Sequence, residues 1–577
     1  MPGKEKVETS EKTEGRGGFL ERLLLGSFDL DKYSTLAPVG RDSKAEEIIG
    51  KYRELIKDYS PSDLEEAKTI PEPLMKGLAR IGLFGLNIPE KYGGVGLSLS
   101  GYLSVLEAMA GTDMSLALTP TAHLSIGLKG IILFGSEKQK KKYLTKAASG
   151  EMIFAYALTE PATGSDAKHI QTAARLSEDG KYYILNGQKT YITNANYAGG
   201  LTVFAQMDPD NPGFMGAFIV ETAWDGVKVG KEMSKMGLAA SSTAPISFKD
   251  VKVPAENLLG KPGDGFKIAM TILNYGRLGL GAASVGAMKQ SVEDMLKRAT
   301  SREQFGVPIK DFELIQEKMV KARVHAFAAE SITQAASQLL ESDHVGSFAM
   351  ESSHVKLYGT TRAWDTLYDA LQTAGGAGYL KSLPYEKRMR DFRVTTLFEG
   401  TSEIHSIYPA LYLARSLGKQ ISSSGKGRFG QAFFLIWEGL RSPKMTLRYH
   451  NSVMRRAARM ARRNVRSIRK LLYFGILRHG KKIAEKEFLL RRITRLSLDL
   501  YILLASLSRL EQEIENGTNV KDKLGLLAYF LTEAQENRRL NACCYSQRRE
   551  RVHQRVFRDL SEEFGSNDKN RSEGRQI

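Results

Sequence analysis

The feature that most constrains the fold is a change of hydrophobic period along the chain. Between residues 152 and 253, apolar and polar side chains alternate in runs such as YYILNGQKTYITNA and LTVFAQM. Asn-Gly, Asn-Pro and Asp-Gly turn signals separate these runs. On both sides the apolar residues recur every three to four positions, as they do in helices. The sequence therefore predicts a β domain inserted between helical regions.

A chain of 577 residues is too long for one hydrophobic core, so we expect several domains. The predicted class is α+β, with an N-terminal helical domain, a middle β domain, a helical bundle and a further C-terminal helical domain. Within the first segment, GFLERLLLGSF is compatible with a short amphipathic helix. The predicted bounds are 1–43 for a disordered or leader segment, 44–151 for the N-terminal helical domain, 152–262 for the β domain, 263–416 for the bundle, 417–440 for a linker, 441–484 for a basic membrane-associated segment and 485–577 for the C-terminal domain.

The composition indicates a globular protein, because 42% of the residues are hydrophobic and 26% are charged. The two cysteines, Cys543 and Cys544, are adjacent. Neighbouring cysteines form neither an ordinary structural disulfide nor a zinc site, so we expect a reduced, intracellular protein. We also expect no apolar run long enough to span a bilayer. The N-terminus has no apolar core, which argues against a secretory signal, and its glutamates argue against a mitochondrial transit peptide.

The net charge of +18 is concentrated in residues 441–480, which carry twelve Lys and Arg side chains and no acid. Placed on a helix, the apolar side chains from Met454 to Leu472 fall on one face, and arginines cover the other. This pattern predicts a basic amphipathic helix bound to an anionic membrane surface. A helix packed on its own protein and a nucleic-acid site are the alternatives. No aromatic residue interrupts the arginines of this helix before Tyr473, so base stacking has little support.

The stretch LFEGTSEIH contains the strongest candidate for a reactive group, Glu399. It lies between an aromatic residue, Phe398, and Gly400, which has no Cβ and therefore allows a backbone to approach a ligand closely. A carboxylate in a largely apolar site has a raised pKa and can remove a proton from a weak carbon acid. The pattern alone is weak, and it gains weight from other motifs.

Five motifs occur in a fixed order: YALTEPATGSD at 156–166, TYITNA at 190–195, SREQFG at 301–306, LQTAGGAGY at 371–379 and LFEGTSEIH at 397–405. In order and spacing they resemble the acyl-CoA dehydrogenase family over roughly residues 45–415. GFKIAMTILNYGR at 265–277, SIGLKGIILFG at 125–135 and the C-terminal run EKEFLLRRITRLSLDLYILLASLSRL at 485–510 are similar to the very-long-chain branch. The resemblance implies an acyl-CoA dehydrogenase-like fold and the cofactor FAD.

The resemblance also implies a reaction and roles for single residues. Glu399 matches the base that removes the α-proton of an acyl-CoA thioester, and the β-hydrogen leaves as hydride to FAD, giving a trans-2-enoyl-CoA. The thioester oxygen is met by the backbone N–H at the Glu399 position and by a hydroxyl of FAD. The positions matching substrate contacts are Ser165, Asn274, Tyr275, Gly276, Arg277, Phe398 and Gly400.

The remaining matches concern FAD. Positions around its ring system are Tyr156, Leu158, Thr159, Ser165, Tyr191, Ile192 and Thr193. Positions that hold its pyrophosphate and adenine, partly from a neighbouring subunit, are Arg302, Gln304, Phe305, Gln372, Gly375 and Gly376. Thr401 and Glu403 match positions near its diphosphate.

Three positions depart from the family pattern. Tyr191 stands where Trp is common, which keeps an aromatic face but changes the surroundings of the flavin. Glu403 stands where Gln or Asp is common, and its charge would be repelled by phosphate, which opposes that contact. A minor branch takes its base from the position of Gly276, which leaves Glu399 as the candidate here.

The resemblance predicts a homodimer on the inner face of a bacterial membrane, or on the mitochondrial inner membrane in a eukaryote. Its partners would be long-chain acyl-CoA as substrate and an electron-transferring flavoprotein as electron acceptor. The alternative acceptor is oxygen, which would make the protein a flavin oxidase. We expect Gly127 and Gly130 to leave the far end of the acyl site open, favouring chains longer than about 14 carbons, because each buried CH₂ adds about 0.8 kcal/mol. The alternative to an enzyme is a noncatalytic flavoprotein of the same fold, either an assembly factor for a respiratory complex or a nucleic-acid binder.

Overall fold

The computed structural model describes residues 17–26, 28–29, 33–38, 40, 42–208, 210–342, 348–425, 427–542 and 549–562. The chain divides into two compact units. The first unit comprises Asp29–His405 and Ser508–Leu526, together with the chain up to Phe19. The second comprises Leu20–Phe28, Ser406–Leu507 and Leu527–Ile577. Cys543 and Cys544 lie outside the described residues.

The first unit begins with a group of helices, several of which start at a side-chain cap. Asp42 accepts the Lys44 and Ala45 N–H groups at the start of the helix Ser43–Leu55, and Ser136 forms a capping box with Gln139 at the start of the helix Glu137–Ala148. The helices are α2 Ser43–Leu55, α3 Pro61–Ala67, α4 Glu72–Arg80, α5 Leu99–Thr112, α6 Met114–Ala122, α7 Lys129–Phe134 and α8 Glu137–Ala148, after α1 Phe19–Leu25.

An eight-stranded sheet follows, in the order β6-β7-β3-β2-β4-β5-β8, with β1 parallel to β4. Its strands are β1 Ile153–Ala157, β2 Ala173–Leu176, β3 Tyr182–Thr193, β4 Ala198–Gln206, β5 Met215–Glu221, β6 Val227–Val229, β7 Thr243–Pro254 and β8 Leu258–Leu259. Alternate residues of β3 and β7 are buried in one core, as the period of two predicts. The register of this pair shifts between Lys189 and Ile192, which leaves Tyr191 exposed with a φ of 58°.

A helical bundle follows the sheet in the first unit. It contains α9 Gly265–Ser301, α10 Glu313–Ser342, α11 Ala349–Ala374 and α12 Tyr385–Arg393, with a hairpin of β9 Glu303–Gln304 and β10 Val307–Pro308 after α9. The small residues of α9 serve close packing. A Cβ at Gly281 would lie 2.2 Å from Val355 Cγ1, and one at Gly286 would lie 2.0 Å from the carbonyl oxygen of Glu107.

The helices that follow are α13 Ser402–Ser423, α14 Arg428–Leu440, α15 Ser452–His479, α16 Glu487–Glu515 and α17 Lys521–Ala542, and residues 549–562 are also helical. The prediction of a linker over 417–440 is wrong, because α13 continues to Ser423 and α14 occupies 428–440. The serine- and glycine-rich composition applies only to the short break between them. The prediction of a disordered segment over 1–43 is also wrong at α1, whose Phe19, Leu20, Leu23 and Leu24 are buried.

The basic segment differs from its prediction in what covers its apolar face. α15 is a helix, but Met454, Ala457, Ala461, Val465, Ile468 and Leu472 are all buried within the protein. Arg469 lies on the same buried side, where Nη1 donates to the Leu24 carbonyl at 2.7 Å and Nη2 to Glu438 Oε2 at 2.8 Å. The apolar face of α15 is therefore not a membrane-inserting surface. Its other arginines keep an exposed basic face.

One helical run, Met114–Phe134, has the length and composition of a membrane span, with a mean hydropathy of 1.4. The expectation that no apolar run is long enough is therefore wrong. Because 83% of this run is buried inside the protein, it is weak evidence for a span and has the burial of a core helix.

Candidate active site

The candidate base lies on a turn with unusual backbone geometry. Glu399 has a φ of 54° and Gly400 a φ of 95°, so two consecutive residues occupy the left-handed region between α12 and α13. A residue with a Cβ is disfavoured in this region, and such positions persist where the surroundings hold them in place. The turn therefore depends on contacts from neighbouring helices.

The Glu399 carboxylate packs directly on α9. A Cβ at Gly276 would lie 2.6 Å from each of its oxygen atoms. Its Oε2 atom is buried, and no hydrogen-bond donor of the described residues contacts it. Burial raises the pKa of Glu399 to about 7, although the positive charges of Arg277 and Lys356 act in the opposite direction. A carboxylate with this pKa can accept a proton near neutral pH.

Side chains of α11 and α13 hold the backbone of the turn. Lys356 Nζ donates to the Gly400 carbonyl at 2.6 Å, and His405 Nε2 lies 3.0 Å from the Glu399 carbonyl oxygen. Ser353 Oγ lies 2.7 Å from Nδ1 of the same histidine. None of these three side chains was predicted from the sequence, although His405 ends the LFEGTSEIH motif.

The α9 positions assigned to substrate lie beside the base. Asn274 Oδ1 accepts from Arg277 Nη1 at 3.0 Å and from Ser352 Oγ at 2.9 Å, which ties this turn of α9 to α11. The ammonium group of Lys129 lies 4.5 Å from the centre of the Tyr275 ring. Asn274, Tyr275, Gly276 and Arg277 are thus placed close to Glu399, at the packing of α9 on the turn.

Gly127 and Gly130 do not line an open space. A Cβ at Gly127 would lie 2.8 Å from the Phe154 carbonyl oxygen, and one at Gly130 would lie 3.1 Å from Ile272 Cδ1. Their small size permits close packing, so the expectation that they leave the far end of an acyl site open is wrong for this structure.

The β domain contributes a second group of predicted positions. Tyr156 Oη donates to the Ala269 carbonyl on α9 at 3.4 Å. Burial is the main cause that raises the pKa of Tyr156, and the negative charge of Glu399 raises it further. Lys189 Nζ donates to the Leu158 carbonyl at 3.1 Å, and the Thr190 N–H donates to the Thr159 carbonyl at 2.9 Å. The segment with Leu158 and Thr159 therefore runs beside Tyr191, Ile192 and Thr193.

This loop depends on a buried ion pair that was not predicted from the sequence. Lys189 Nζ lies 2.7 Å from Glu160 Oε1, and Glu160 also accepts the N–H groups of Gln171 and Thr172 at 2.5 and 2.9 Å. Both side chains are at most 4% exposed. Ser165, further along the same loop, is exposed.

A third group of predicted positions lies far from Glu399 within one chain. Arg302, Gln304, Phe305, Gln372, Gly375 and Gly376 are all exposed. They gather at the carboxyl ends of α9 and α11, where Arg298 Nη2 donates to the Ala374 carbonyl at 3.5 Å. A helix rises about 1.5 Å per residue, so Arg302 lies roughly 39 Å from Gly276 along α9. One chain does not bring this group to the base.

Thr401, Glu403 and Phe398 flank the turn. The Ile404 N–H donates to Thr401 Oγ1 at 3.4 Å at the start of α13. Glu403 is exposed, and Phe398 is half-buried.

Comparison with known families agrees with this architecture. The acyl-CoA dehydrogenase N-terminal domain matches residues 44–151, the middle domain residues 155–251 and the C-terminal domain residues 263–408. The chain belongs to the acyl-CoA dehydrogenase family. A fourth domain of the same family, described as the ACAD9/ACADV C-terminal domain, matches residues 452–569. The predicted family and fold class are confirmed.

Relatives within the family match most of the chain. The very long-chain specific acyl-CoA dehydrogenase of human mitochondria is 36% identical over 489 residues, covering 82% of this chain and 74% of its own length. A probable acyl-CoA dehydrogenase of Bacillus subtilis is 33% identical, covering 80% and 79%. The structure of a Bacillus anthracis acyl-CoA dehydrogenase complexed with FAD superimposes with a TM-score of 0.79 at 31% identity, covering 92% of this chain and 91% of that one.

The residues of this chain fit the flavin of the family. Tyr191 is 68% exposed and Phe305 is 94% exposed. These are flat apolar faces of the kind on which a ring system packs. The exposed carboxylate of Glu403 is the one predicted FAD position whose chemistry opposes a phosphate.

Proposed function

We propose that this protein is a long-chain acyl-CoA dehydrogenase that uses Glu399 as its base. The observation that carries the proposal is the Glu399 carboxylate, with one oxygen buried and contacted by no donor of the described residues. A carboxylate used only to stabilise the fold would be paired there. A noncatalytic flavoprotein would not need it, so this observation favours an enzyme over a scaffold.

In the proposed reaction, Glu399 removes the proton from the α-carbon of the acyl thioester. FAD, when bound, supplies the acceptor for the β-hydrogen, which leaves as hydride and gives a trans-2-enoyl-CoA. Negative charge develops on the thioester oxygen as the α-proton leaves. The N–H of Glu399 is available to meet this charge, because no acceptor among the described residues takes it.

The acid–base properties of the site suit this role. With a pKa raised to about 7, Glu399 is a stronger base than an ordinary carboxylate and is still partly ionised at neutral pH. Arg277 and Lys356 keep the pKa from rising further.

The decisive experiment is anaerobic addition of palmitoyl-CoA to the FAD-loaded protein. Bleaching of the flavin band together with formation of the 2-enoyl product is expected. A flavin spectrum that stays oxidised with every acyl-CoA from butyryl to stearoyl would reject the enzyme.

The preference for long chains rests on similarity to very-long-chain relatives, since the packing of Gly127 and Gly130 does not support it. A kcat/KM series over acyl chains of increasing length tests it, with a maximum expected above about 14 carbons, as each added buried CH₂ contributes up to ~0.8 kcal/mol. A maximum at butyryl or octanoyl would contradict it.

We also propose a homodimer in which each FAD contacts both chains. The exposed group around Arg302 and Gln372 lies roughly 39 Å along α9 from the base. A second copy could bring that group to the flavin bound near Tyr191. Mixing the inactive variants Glu399→Gln and Arg302→Glu tests this arrangement. Activity is expected to return in the mixture, because a heterodimer contains one site with both native residues.

An electron-transferring flavoprotein is the proposed acceptor, as in the family. A solved structure named for the electron transferring flavoprotein of Acidaminococcus fermentans is 34% identical to this chain and covers 65% of it, with a TM-score of 0.62. Reduction of purified electron-transferring flavoprotein by substrate-loaded enzyme is expected. Faster reoxidation by oxygen than by that flavoprotein would favour an oxidase.

Attachment to an anionic membrane is proposed through α14 rather than through the apolar face of α15. In α14, Phe429 is 95% exposed, Phe433 68% and Trp437 54%, and these side chains recur at helical spacing. Exposed Arg441 and Lys444 follow directly. Aromatic side chains beside basic ones suit the lipid–water interface.

A vesicle assay separates the contributions to this attachment. Replacing Phe429, Phe433 and Trp437 with Ser should abolish the binding to phosphatidylglycerol vesicles that survives high salt. Replacing the exposed arginines of α15 with Gln should reduce only the binding at low salt. Val552→Ser, at an exposed apolar residue of the helical segment 549–562, is the matched control. Binding of duplex DNA without vesicle binding would favour the nucleic-acid alternative.

A further inference from the structure

Two consecutive carbonyl groups of the catalytic turn are held by side chains from two helices. His405 on α13 lies 3.0 Å from the Glu399 carbonyl oxygen, and Lys356 on α11 lies 2.6 Å from the Gly400 carbonyl oxygen. Both side chains belong to buried residues. The backbone that directly follows the Cα of the base is therefore anchored within the first unit.

The hydrogen-bond pattern fixes the tautomer of His405. A carbonyl oxygen only accepts, so His405 Nε2 must carry the hydrogen in this contact. His405 Nδ1 is then an acceptor, and the Ser353 hydroxyl at 2.7 Å donates to it. Burial and the nearby charges of Arg277 and Lys356 lower the pKa of His405 well below its ordinary value. The imidazole is therefore neutral. The Ser353 hydroxyl donates to His405 Nδ1, and His405 Nε2 donates to the Glu399 carbonyl.

The turn needs such support because of its backbone. Glu399 has a Cβ and yet adopts a φ of 54°, a conformation that is disfavoured for residues other than glycine. The His405 ring also packs on Gly400, where a Cβ would lie 2.7 Å from Nε2. Removing the ring would leave the turn without one hydrogen bond and without a packing surface.

We propose that His405 and Ser353 are positioning residues for the reaction: the chain of hydrogen bonds from the Ser353 hydroxyl through His405 to the Glu399 carbonyl holds the carboxylate of the base against Gly276. Both side chains are fully buried, and they act through the backbone of the turn. Without them, Glu399 gains access to the ordinary right-handed backbone conformations, and its carboxylate leaves the buried position beside α9.

Release of the turn has a consequence that can be measured separately from folding. The pKa of Glu399 is raised mainly by burial, so a base that reaches solvent titrates at lower pH. The charged and titratable groups around it are Arg277 on α9, Lys356 on α11, Tyr102 on α5 and Tyr156 on β1. His354 acts on His405, and Glu403 acts on Lys356. None of these groups changes in the variants below.

The test compares His405→Leu, His405→Gln and Ser353→Ala as FAD-loaded proteins. Leucine removes the donor, whereas glutamine retains an N–H that can reach the Glu399 carbonyl. We expect kcat to fall about 10²-fold in His405→Leu, the loss typical of a catalytic group displaced by about 1 Å, with KM nearly unchanged. The acid limb of the kcat profile should move from about pH 7 to lower pH. His405→Gln should recover most of kcat and the wild-type limb, and Ser353→Ala should lose kcat several-fold.

Other outcomes would overturn the proposal. A loss of flavin and of thermal stability in His405→Leu with an unchanged acid limb would assign His405 a structural role only. Equal losses of kcat in His405→Leu and His405→Gln would also assign His405 a structural role only. If His405→Leu does not fold, an unchanged kcat and limb in Ser353→Ala decides against positioning. His450→Leu, an exposed histidine of the second unit, is the control for removal of an imidazole.

The inference rests on the proposed function, and the two can fail separately. Wild-type protein that never bleaches with acyl-CoA would reject the function alone. The pKa of Glu399 can still be measured without turnover, from the infrared carboxylate band present in wild type and absent from Glu399→Gln. A band that titrates at the same pH in wild type and His405→Leu would reject the positioning role.

Discussion

Glu160 and Glu399 both belong to the first unit and have buried carboxylates, but their partners differ. Glu160 accepts from Lys189 at 2.7 Å and from two backbone N–H groups, whereas Glu399 Oε2 meets no donor among the described residues. In both glutamates, burial acts to raise the pKa of the carboxyl group. For Glu160 the lysine and the hydrogen bonds outweigh burial, and the net pKa is lowered.

This difference separates a structural carboxylate, Glu160, from the proposed base, Glu399. Glu160 stays ionised, and its bonds fix the loop that carries Leu158 and Thr159 beside β3, a strand with proposed flavin positions. Glu399 receives only the electrostatic influence of Arg277 and Lys356, so its proton affinity remains high enough for it to act as a base. In the proposed mechanism, the absence of a donor at Oε2, and not burial alone, distinguishes Glu399 from Glu160.

The largest effect is expected from Glu399→Gln, which removes the base and keeps the shape of the side chain. Loss of a general base typically costs ~10²–10⁴ in rate, and FAD should remain bound because the change is nearly isosteric. Stopped-flow bleaching of the flavin by palmitoyl-CoA measures the effect. Glu256→Gln, at an exposed ion pair with Lys138, is the control and should keep wild-type turnover. Near wild-type bleaching by Glu399→Gln would remove Glu399 from the mechanism.

Lys189→Met tests the other glutamate. It leaves Glu160 buried without its cation, and breaking a buried pair in this way typically costs about 3–5 kcal/mol of stability. We expect a lower Tm and weaker retention of FAD, measured by differential scanning fluorimetry and gel filtration. The double variant Glu160→Leu/Lys189→Met should recover part of the stability. A single variant as stable as wild type would show that the pair does not hold the loop.

The sequence predicted Glu399 as the base, and the flavin positions with it, because they lie in short motifs where neighbouring residues carry the signal, and these assignments stay predictions. It did not identify the donor set of either glutamate. Lys189 and Glu160 come together through the pairing of β3 with the preceding loop, and Lys356 reaches the base through the packing of α11. These contacts depend on side-chain directions that spacing along the chain does not determine.

The errors outside the site have a similar origin. The period of three to four residues correctly predicted a helix in the basic segment, but a membrane and a neighbouring helix bury an apolar face equally well. The structure covers that face of α15 with protein and leaves the aromatic side chains of α14 exposed. In the linker prediction, a few serines and glycines outweighed the helical spacing of RFGQAFFLIWEGL.

Gly276→Ala sharpens the comparison by changing the surroundings of the base without removing it. The added Cβ would lie 2.6 Å from both carboxylate oxygens, so Glu399 must move. We expect kcat/KM to fall about 10²-fold, as for a misplacement of about 1 Å. Gly50→Ala is the control, because a Cβ added at this helical glycine would meet no atom within 4 Å outside its own helix backbone. This variant should leave kcat/KM unchanged. Wild-type kinetics in Gly276→Ala would show that the carboxylate does not depend on contact with α9.

The smallest expected effect is a difference in how the two glutamates make stability depend on pH. Glu399 has a pKa of about 7 in the folded protein against 4.5 for the ordinary side chain. The folded state therefore binds more protons than the unfolded state in this window, and its contribution to stability falls as pH rises from 4.5 to 7. Glu160 has a lowered pKa, so its contribution is present above its unfolded pKa and is lost as pH falls through the folded pKa.

Melting curves of FAD-loaded protein between pH 4 and 8 distinguish the two directions. Relative to wild type, Glu399→Gln should gain stability as pH rises toward 7, on the order of 1–3 kcal/mol, since one pKa unit corresponds to about 1.4 kcal/mol. Glu160→Gln should lose stability at neutral pH and approach wild type only at acidic pH. Parallel Tm profiles for wild type and Glu399→Gln would mean that Glu399 titrates normally in the folded protein. In that case burial beside Gly276 would not raise the pKa of Glu399, the proposed base. The contrast between unpaired Glu399 and paired Glu160 would then be wrong.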